Sequence, residues 1–370
     1  MGINEPIRVL QVVTHMERGG LETMLMNYYR NIDREKVQFD FLVHRSQRAA
    51  YDDEIEALGG TIHRLARLVP WSRSYRNALD AFFAAHKEYR VVHVHQDCLS
   101  SVILKAAKKH GIPVRIAHSH SSSQDKDMKY PIKLLYKRWI PKYATGLLAC
   151  GALAGDWMFD GAPYHIVHNA IDTALYRFNP GVARCVRQEL SISHDAWVVG
   201  HVGRFSWPKN HSFLLDVFSE IRKRRPEAVL VLVGDGELRS QVEEKIKALG
   251  LENSVILTGV RSDVPRMLQA MDAFLFPSLY EGVPVTMVEA QASGLPCYIS
   301  KNVPPECKMT ELVQSIDLSQ SSAEWAEKIL ASENARNLDT LQDIQKAGYD
   351  IKENAVWLQN YYLGAANGSR

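Results

Sequence analysis

Short apolar stretches alternate with longer amphipathic stretches along almost the whole chain, and this alternation restricts the possible fold more than any other feature. Apolar runs of strand length are typical of a buried parallel sheet, and the amphipathic stretches between them are typical of helices that cover it. The alternation therefore predicts an α/β protein. We predict strands at Ile7–Val13, Phe39–Val43, Thr61–Leu65, Val91–His95, Val114–Ala117, Gly146–Ala149, His165–Val167, Val198–Val202, Val229–Val233, Val255–Thr258, Ala273–Phe276 and Cys297–Ile299.

The alternation stops once, near the middle of the chain. Turn-forming residues collect between Asn169 and Gly181, and a chain of 370 residues is long for one domain but sufficient for two. We therefore predict an N-terminal domain over residues 1–178 and a C-terminal domain over 179–352, with a separate helix within 353–370.

The composition, with 46% hydrophobic and 23% charged residues, is that of an ordinary globular protein. No apolar run reaches about 18 residues, so we expect no membrane-spanning helix. The first residues lack the basic and apolar regions of a signal peptide. The five cysteines have no paired spacing, which suits a reducing compartment. We expect a cytoplasmic protein with no nucleic-acid partner.

Two glutamates stand eight positions apart in the segment Tyr280–Pro296. An apolar strand leads into a glycine-containing turn that carries Glu281, and Pro284 suits the first position of a helix that carries Glu289. The amides and dipole at the start of such a helix can hold an anion, while carboxylates can accept hydrogen bonds from hydroxyl groups. A nucleotide-sugar, with phosphates in the middle and hydroxyl groups at both ends, fits this description.

A second motif, Gly203-Arg204 followed by Lys209-Asn210, lies upstream of the glutamates. A buried strand ends at Gly203 and Lys209 is predicted to open a helix. Arg204 and Lys209 would therefore lie at the carboxyl end of a strand, where open α/β sheets bind ligands. Arginine provides a rigid fork and lysine a mobile point charge, and both suit a diphosphate.

Together, in this order and spacing, the two motifs resemble those of glycosyltransferase family 4, whose members are retaining enzymes of the GT-B fold. The resemblance implies two facing Rossmann-like domains with a deep interdomain cleft, and a C-terminal helix that crosses back to the first domain. The Gly-Gly-Leu-Glu loop after the first strand and the His-Ser-His end of a later strand look most similar to the bacterial exopolysaccharide and capsule enzymes.

The resemblance also implies roles for single residues. Arg204 and Lys209 would neutralise the diphosphate as it departs. Glu281 would position the transferred sugar, and Glu289 would bond the ribose hydroxyls. Further residues at the donor site would be Gly19, Gly20, Gly203, Asn210, Val260, Arg261, Gly282 and Val283.

Two pairs of histidines end neighbouring predicted strands. His118 and His120 lie on the same side of an extended chain, and the resemblance places one of them near the transferred sugar without deciding between them. His93 and His95 lie on the preceding strand, so a metal cluster of four histidines is an alternative, although two histidines without a third ligand make a poor zinc site. Core or interface histidines are the other alternative.

We expect neither a metal nor a cofactor in the reaction. The cations expected to face the diphosphate are side chains, and the Asp-x-Asp sequence Asp125–Asp127, a form that binds metal in another class of glycosyltransferases, lies in a polar loop. The resemblance implies that the acceptor attacks from the face that the leaving group vacates, and that the departing phosphate takes the acceptor proton.

Residues 129–143 combine apolar and basic residues in a candidate membrane-binding helix. The predicted apolar stripe consists of Ile132, Leu135, Tyr136, Trp139 and Ile140. The basic side consists of Lys133, Lys137 and Arg138. Residues 1–178 carry a net charge of +6 and the remainder −4. Such a helix suits an anionic membrane surface, here the inner face of the plasma membrane. Ordinary packing of the apolar stripe on the sheet is the alternative.

We therefore predict a retaining hexosyltransferase with a nucleotide-sugar donor, UDP being the nucleotide that the resemblance implies. The acceptor would be a glycan or a polyprenyl-diphosphate-linked sugar in cell-surface polysaccharide synthesis. A non-catalytic module that binds sugar nucleotides or polysaccharide is one alternative, and a sugar-nucleotide epimerase of related fold is another. Turnover of the donor by the purified protein separates the enzyme from the binding module.

Overall fold

The computed structural model describes residues 5–122, 128, 130–332 and 335–368. The chain divides into two compact units, the first formed by Met1–Ala170 with Ile351–Arg370 and the second by Ile171–Asp350. The division falls at residue 170 rather than 178, because a short 3-10 helix, Thr173–Tyr176, packs on helices of the second unit.

The first unit contains a seven-stranded sheet in the order β3-β2-β1-β4-β5-β6-β7, and all its strand pairs are parallel. Its strands are β1 (Ile7–Val13), β2 (Val37–Val43), β3 (Ile62–Arg64), β4 (Val91–Val94), β5 (Val114–Ser119), β6 (Gly146–Ala149) and β7 (His165–Ile166). Its first helices are α1 (Gly20–Asn31), α2 (Asp52–Ala57), α3 (Arg73–Ala85), α4 (Ser100–Lys109), α5 (Tyr130–Lys137), α6 (Ile140–Tyr143) and α7 (Ala152–Phe159).

The second unit contains a six-stranded sheet, also parallel, in the order β10-β9-β8-β11-β12-β13. Its strands are β8 (Val198–Val202), β9 (Val229–Val233), β10 (Val255–Gly259), β11 (Ala273–Phe276), β12 (Cys297–Ser300) and β13 (Val313–Ile316). Its helices are α8 (Pro180–Glu189), α9 (His211–Arg224), α10 (Arg239–Ala248), α11 (Val264–Gln269), α12 (Val285–Ala292), α13 (Ser322–Ala331) and α14 (Leu341–Lys346).

The last helix, α15 (Ile351–Asn367), belongs to the first unit although it follows the second in sequence. It packs against α1 and buries Tyr362, whose hydroxyl lies 2.7 Å from His93 Nδ1 and 3.2 Å from Gln11 Nε2. Arg90 donates a 2.8 Å hydrogen bond to the carbonyl of Ala366 near the end of this helix. A helix from the end of the chain therefore packs on the sheet of the first unit.

Both sheets reverse their strand order at one point, between β1 and β4 in the first unit and between β8 and β11 in the second. Loops that leave the carboxyl ends of the strands diverge at such a point and form a crevice, which is where open α/β sheets bind ligands. In the second unit these loops are the segments that carry Lys209, after β8, and Glu281, after β11.

Each predicted strand is present, with bounds that differ by no more than two residues. The edge strand β13 was not predicted, because Gln314 and Ser315 interrupt its short apolar pattern.

Candidate functional site

The loops that follow β8 and β9 approach each other closely. The amide of Gly203 donates a 3.0 Å hydrogen bond to Val233 O, and Gly234 has a φ of +140°, with the space of a Cβ taken by the Gly203 carbonyl. A Cβ on Gly203 would lie 2.9 Å from His201 Nε2, whereas its 3.5 Å distance to the Cδ and Cε atoms of Lys209 is ordinary contact. Glycine at these two positions lets the two loops pack tightly against each other and against His201.

Lys209 is the last residue of a short 3-10 helix, Trp207–Lys209, and α9 begins two residues later at His211. The prediction that Lys209 opens the helix is therefore wrong. The reason is Asn210, which adopts a left-handed conformation (φ +55°) and separates the two helices. Asn210 Nδ2 also donates to Pro277 O at 3.2 Å, so this residue ties the loop after β8 to the loop after β11.

Lys209 and Glu281 form an ion pair across these loops. The Lys209 Nζ atom lies 2.7 Å from Glu281 Oε1 and 4.6 Å from the centre of the Phe276 ring. Both charged side chains are largely shielded from solvent, with 17% and 12% of their surface exposed. The structure thus brings together two predicted site residues from separate motifs.

Arg204 extends from the same loop but is 73% exposed. Its Nε atom donates to Glu237 Oε2 at 3.1 Å. An exposed pair of this kind contributes little to stability, so the guanidinium can exchange its partner for an anionic ligand at small cost.

The helix after β11 begins at Val285, with Pro284 as its N-cap residue. The prediction that Pro284 is its first helical residue is therefore off by one position, because Pro284 has an extended backbone (ψ 131°). Proline has no side-chain acceptor for the first amides of the helix. Gly282 is half-buried and Val283 buried in the turn just before it. The first residue of α12 follows Glu281 closely in sequence, and its amides can attract an anion.

Glu289 is 4% exposed and lies inside α12. The Tyr176 hydroxyl donates a 2.6 Å hydrogen bond to its Oε1 atom. Burial raises the pKa of the Glu289 carboxyl to about 7, and the hydrogen bond from Tyr176 opposes that rise. The carboxyl therefore changes its charge near neutral pH.

Val260 and Arg261 follow β10 and the left-handed Gly259 (φ +69°). The Val260 side chain is exposed, whereas the Arg261 guanidinium donates to Asp263 at 2.8 and 2.9 Å and to Glu189 at 2.8 Å. Arg261 is thus held by two carboxylates, and the turn offers a ligand its backbone and the Val260 side chain.

In the first unit, the glycine pair marks the turn from β1 into a helix. Gly19 is the N-cap residue and Gly20 the first residue of α1. The space that a Cβ on Gly19 would need is taken by the Glu22 carboxylate, which folds back over the turn. Because this carboxylate is the mobile end of a side chain, a larger residue at position 19 would need only a change in the Glu22 rotamer.

His118 and His120 project from the end of β5 and differ in exposure. His118 is 1% exposed, and burial lowers its pKa well below the ordinary value. His120 is half-buried and its Nε2 atom lies 2.8 Å from His95 Nδ1. The preceding strand adds His93, whose Nε2 atom lies 3.2 Å from His118 Nδ1. All four predicted histidines thus form one array.

Within residues 130–143 the chain forms two helices, α5 and α6, instead of the single helix predicted. Two further details of that prediction are wrong. Ile140 is fully buried, and Lys137 is buried with its Nζ atom donating to Asp160 Oδ1 at 2.8 Å. Ile132, Leu135 and Trp139 are exposed. No helix among the described residues is long and apolar enough to cross a membrane, and Asp125–Asp127 lies outside them.

Comparison with known proteins identifies the family. The model of glycosyltransferase family 4 matches residues 18–175, and the model of glycosyl transferases group 1 matches residues 184–349. A Bacillus subtilis (strain 168) protein named as a glycosyltransferase, EpsF, is 36% identical over 372 residues, which cover 96% of each chain. The chain belongs to the group 1 glycosyltransferases.

Two further proteins resemble this glycosyltransferase. An Escherichia coli UDP-Gal:alpha-D-GlcNAc-diphosphoundecaprenol alpha-1,3-galactosyltransferase is 28% identical over 265 residues, or 67% of each chain. The crystal structure of Anabaena Alr3699/HepE in complex with UDP and glucose has a TM-score of 0.81 and 20% identity, and covers 96% of this chain and 99% of its own. The likeness to HepE confirms the predicted α/β fold of the GT-B class.

Some residues beside the site of this glycosyltransferase were not predicted. Tyr176 lies in the turn-rich segment between Asn169 and Gly181, where no periodicity points to it. Glu237, which accepts a hydrogen bond from Arg204, was not predicted either. His211 is buried beside Phe205, at 4.5 Å between ring centres, and neither of its ring nitrogens has a hydrogen-bond partner among the described residues. A single buried histidine has no sequence signal that separates it from a core residue.

Proposed function

We propose that this glycosyltransferase transfers a hexose-type sugar, with retention of configuration, from a UDP-sugar to a glycan or polyprenyl-diphosphate-linked sugar. We further propose that it acts in cell-surface polysaccharide synthesis, on the cytoplasmic side of the membrane. The observation that carries the proposal is the 2.7 Å contact of Lys209 with Glu281 at the point where the strand order of the second sheet reverses. The names of the Escherichia coli relative and of the HepE complex, which mention UDP-Gal and UDP, support the choice of nucleotide.

Arg204 and Lys209 are proposed to stabilise the diphosphate as it leaves. The Lys209 ammonium is already desolvated, so a phosphate that reaches it gains a strong charge-assisted hydrogen bond. The first amides of α12 add a partial positive charge. A fixed donor aimed at charge that develops in the transition state is worth roughly 100- to 1,000-fold in rate, which is why no metal ion is needed in this mechanism.

Glu289 is proposed to accept hydrogen bonds from the ribose hydroxyls. Tyr176 holds one carboxylate oxygen and so fixes the direction of the other. Because the carboxyl is protonated below about pH 7 in the absence of ligand, hydroxyl donors that favour its charged form bind with the release of a proton.

The transferred sugar is proposed to contact Glu281 and one histidine of the β5 end. Of the two candidates, His120 is the more exposed and His118 is enclosed, so we assign this role to His120. The acceptor hydroxyl attacks on the face that the diphosphate vacates and gives its proton to a departing phosphate oxygen. The glycosidic bond forms as the bond to the diphosphate breaks, and the anomeric configuration is kept.

The exposed residues Leu135 and Trp139 are proposed to contact an anionic membrane, where a lipid-linked acceptor would be found. The neighbouring Arg138 and Lys142 are also exposed. An aromatic and aliphatic surface flanked by basic residues suits the interface of such a membrane.

A panel of UDP-, GDP- and ADP-sugars tests the donor chemistry. We expect slow hydrolysis of a UDP-sugar by the purified protein, and NMR of the first product should show the anomer of the donor. Release of the opposite anomer would overturn retention. Tight binding of UDP-sugars, with neither hydrolysis nor transfer to a lipid-linked or glycan acceptor, would instead favour the non-catalytic module.

A further inference from the structure

The four histidines of the first unit lie on one face of its sheet. His93 pairs with Ile116 in the parallel register of β4 and β5, so residues two positions further along each strand also face each other. Side chains two positions apart point to the same face of a sheet. His93 and His95 therefore stand beside His118 and His120, and His93 also contacts Tyr362 of α15.

Three of these rings have the spacing of a metal site. Among the described residues, one group of three potential ligands is close enough to hold a metal ion: His93, His95 and His118, with nitrogen atoms all within 4.8 Å of one another. His93 Nε2 and His118 Nδ1 are 3.2 Å apart. Two nitrogens bound to one tetrahedral zinc ion at about 2.0–2.1 Å lie about 3.3 Å apart.

The outer nitrogens of two rings already have oxygen partners. His93 Nδ1 lies 2.7 Å from the Tyr362 hydroxyl, and His95 Nε2 lies 3.0 Å from Gln11 Oε1. Metal-binding histidines commonly direct their second nitrogen to an oxygen, which fixes the ring and leaves the other nitrogen for the ion. The inner nitrogens, His93 Nε2 and His95 Nδ1, face ring nitrogens instead, His118 Nδ1 at 3.2 Å and His120 Nε2 at 2.8 Å.

The surroundings suit a metal ion. All three rings are buried, and a buried imidazole is neutral, which is the form that binds metal.

We propose that His93, His95 and His118 bind one divalent transition-metal ion, with zinc as the best match and water as the fourth ligand. Three imidazoles and an open fourth position suit zinc, and imidazole ligands favour zinc over magnesium or calcium. The ion joins β4 to β5 and, through Tyr362, to α15, so its role is to stabilise the first unit. His120, the residue proposed to contact the transferred sugar, lies beside the ion but is not one of its ligands.

Titration of the chelator-treated protein with Co²⁺ and Zn²⁺ tests this site. We expect visible cobalt bands that saturate at one ion per chain and disappear when zinc is added. Free zinc at about 100 times its Kd should raise the Tm of the first unit by roughly 5 to 10 °C. The absence of saturable cobalt bands in the wild-type protein would overturn the proposal without any variant.

Two variants distinguish this site from binding at surface histidines. His93→Gln should lose both the cobalt bands and the zinc effect on Tm. His44→Gln removes another buried imidazole of the first unit, one that contacts Val13 O and the Tyr75 hydroxyl, and should keep both. An equal zinc effect in His93→Gln would overturn the proposal. The cobalt bands and the Tm are both measured without turnover of the donor, so this test is separate from that of the proposed function.

Discussion

Lys209 and Glu281 are in direct contact although they stand 72 positions apart in the chain. Each follows one of two adjacent strands, β8 and β11, at the reversal of strand order. In the absence of ligand the two charges neutralise each other, and both side chains are largely shielded from solvent. A diphosphate would compete with Glu281 for the ammonium, and Glu281 would then be available to a sugar hydroxyl.

Loss of either cation should slow sugar transfer. We expect Lys209→Ala and Arg204→Ala to reduce turnover by at least about 100-fold, because each removes stabilisation of the departing diphosphate. Steady-state rates of UDP release measure the effect. Lys223→Ala, an exposed lysine on α9, is the matched control and should keep the wild-type rate. Near-normal rates in both folded site variants would show that the site is misassigned.

Tyr176→Phe should weaken donor binding through Glu289. The substitution removes the 2.6 Å hydrogen bond that favours the charged carboxylate. We expect UDP affinity to fall by roughly 2- to 10-fold at pH 7, and by less at pH 9, where the carboxylate is ionised without help. Calorimetric titration at the two pH values measures this difference. Tyr298→Phe removes another buried hydroxyl of the second unit, and it should bind UDP normally; a pH-independent loss in Tyr176→Phe would contradict the proposed role.

Glu289→Gln should stabilise the second unit above neutral pH. The folded carboxyl has a pKa of about 7 against an ordinary 4.5, so the folded state takes up a proton between these values and gains stability as the pH falls. Ionisation of Glu289 above pH 7 lowers the free energy of unfolding by roughly 3 kcal/mol. We expect the variant to exceed the wild type by up to that amount at pH 8 and to match it near pH 4.5. Urea unfolding at both pH values checks this, and an equal difference at both would refute it.

Sugar transfer should persist when metal ions are removed. The groups that face the donor diphosphate in our proposal are Arg204, Lys209 and the start of α12, none of which needs an ion. We expect unchanged rates in excess EDTA, measured below the Tm of the metal-free protein so that a structural ion does not confuse the result. Complete loss of activity in EDTA that magnesium or manganese restores would contradict this mechanism.

The α5–α6 segment should bind anionic vesicles but not neutral ones. Each basic residue near an anionic surface is worth on the order of 1 kcal/mol and is screened by salt. We expect co-sedimentation at low salt that is weakened by Arg138→Glu with Lys142→Glu, and also by Trp139→Ser. Lys137 is unsuitable for this test because its charge is paired with Asp160.

A control for the vesicle experiment makes the same change of net charge elsewhere. Lys247→Glu with Lys328→Glu alters two exposed lysines on helices of the second unit. Binding should survive in this control. If both double variants lose binding equally, overall charge and not this segment is responsible.

The parts of the molecule that could be predicted from sequence are those that depend on neighbours in the chain. The alternation of apolar and amphipathic stretches predicts the strands, and glycine, proline and charged residues at strand ends predict the two donor motifs. Gly294, two positions after the last residue of α12, has the left-handed conformation (φ +74°) that favours glycine at the end of a helix. Local chemistry was sufficient in these cases.

The parts that failed depend on distant partners. A helical projection assigns Lys137 to a solvated basic side, but its side chain is buried and pairs with Asp160, 23 positions later. Tyr176 reaches Glu289 across 113 positions from a segment without periodicity. Asn210 places a left-handed residue between two helices that the sequence pattern would join. Each outcome follows from strand order and packing, which periodicity does not encode.

The placement of α15 in the first unit has a consequence for biosynthesis. A ribosome makes residues 7–166, which contain all strands of the first sheet, before it makes the whole second unit, and α15 follows only then. At about 5 to 20 residues per second, the nascent sheet waits roughly 10 to 40 s for the helix that covers its histidine face. During that interval the exposed polar array is open to chaperones, proteases and free metal ions.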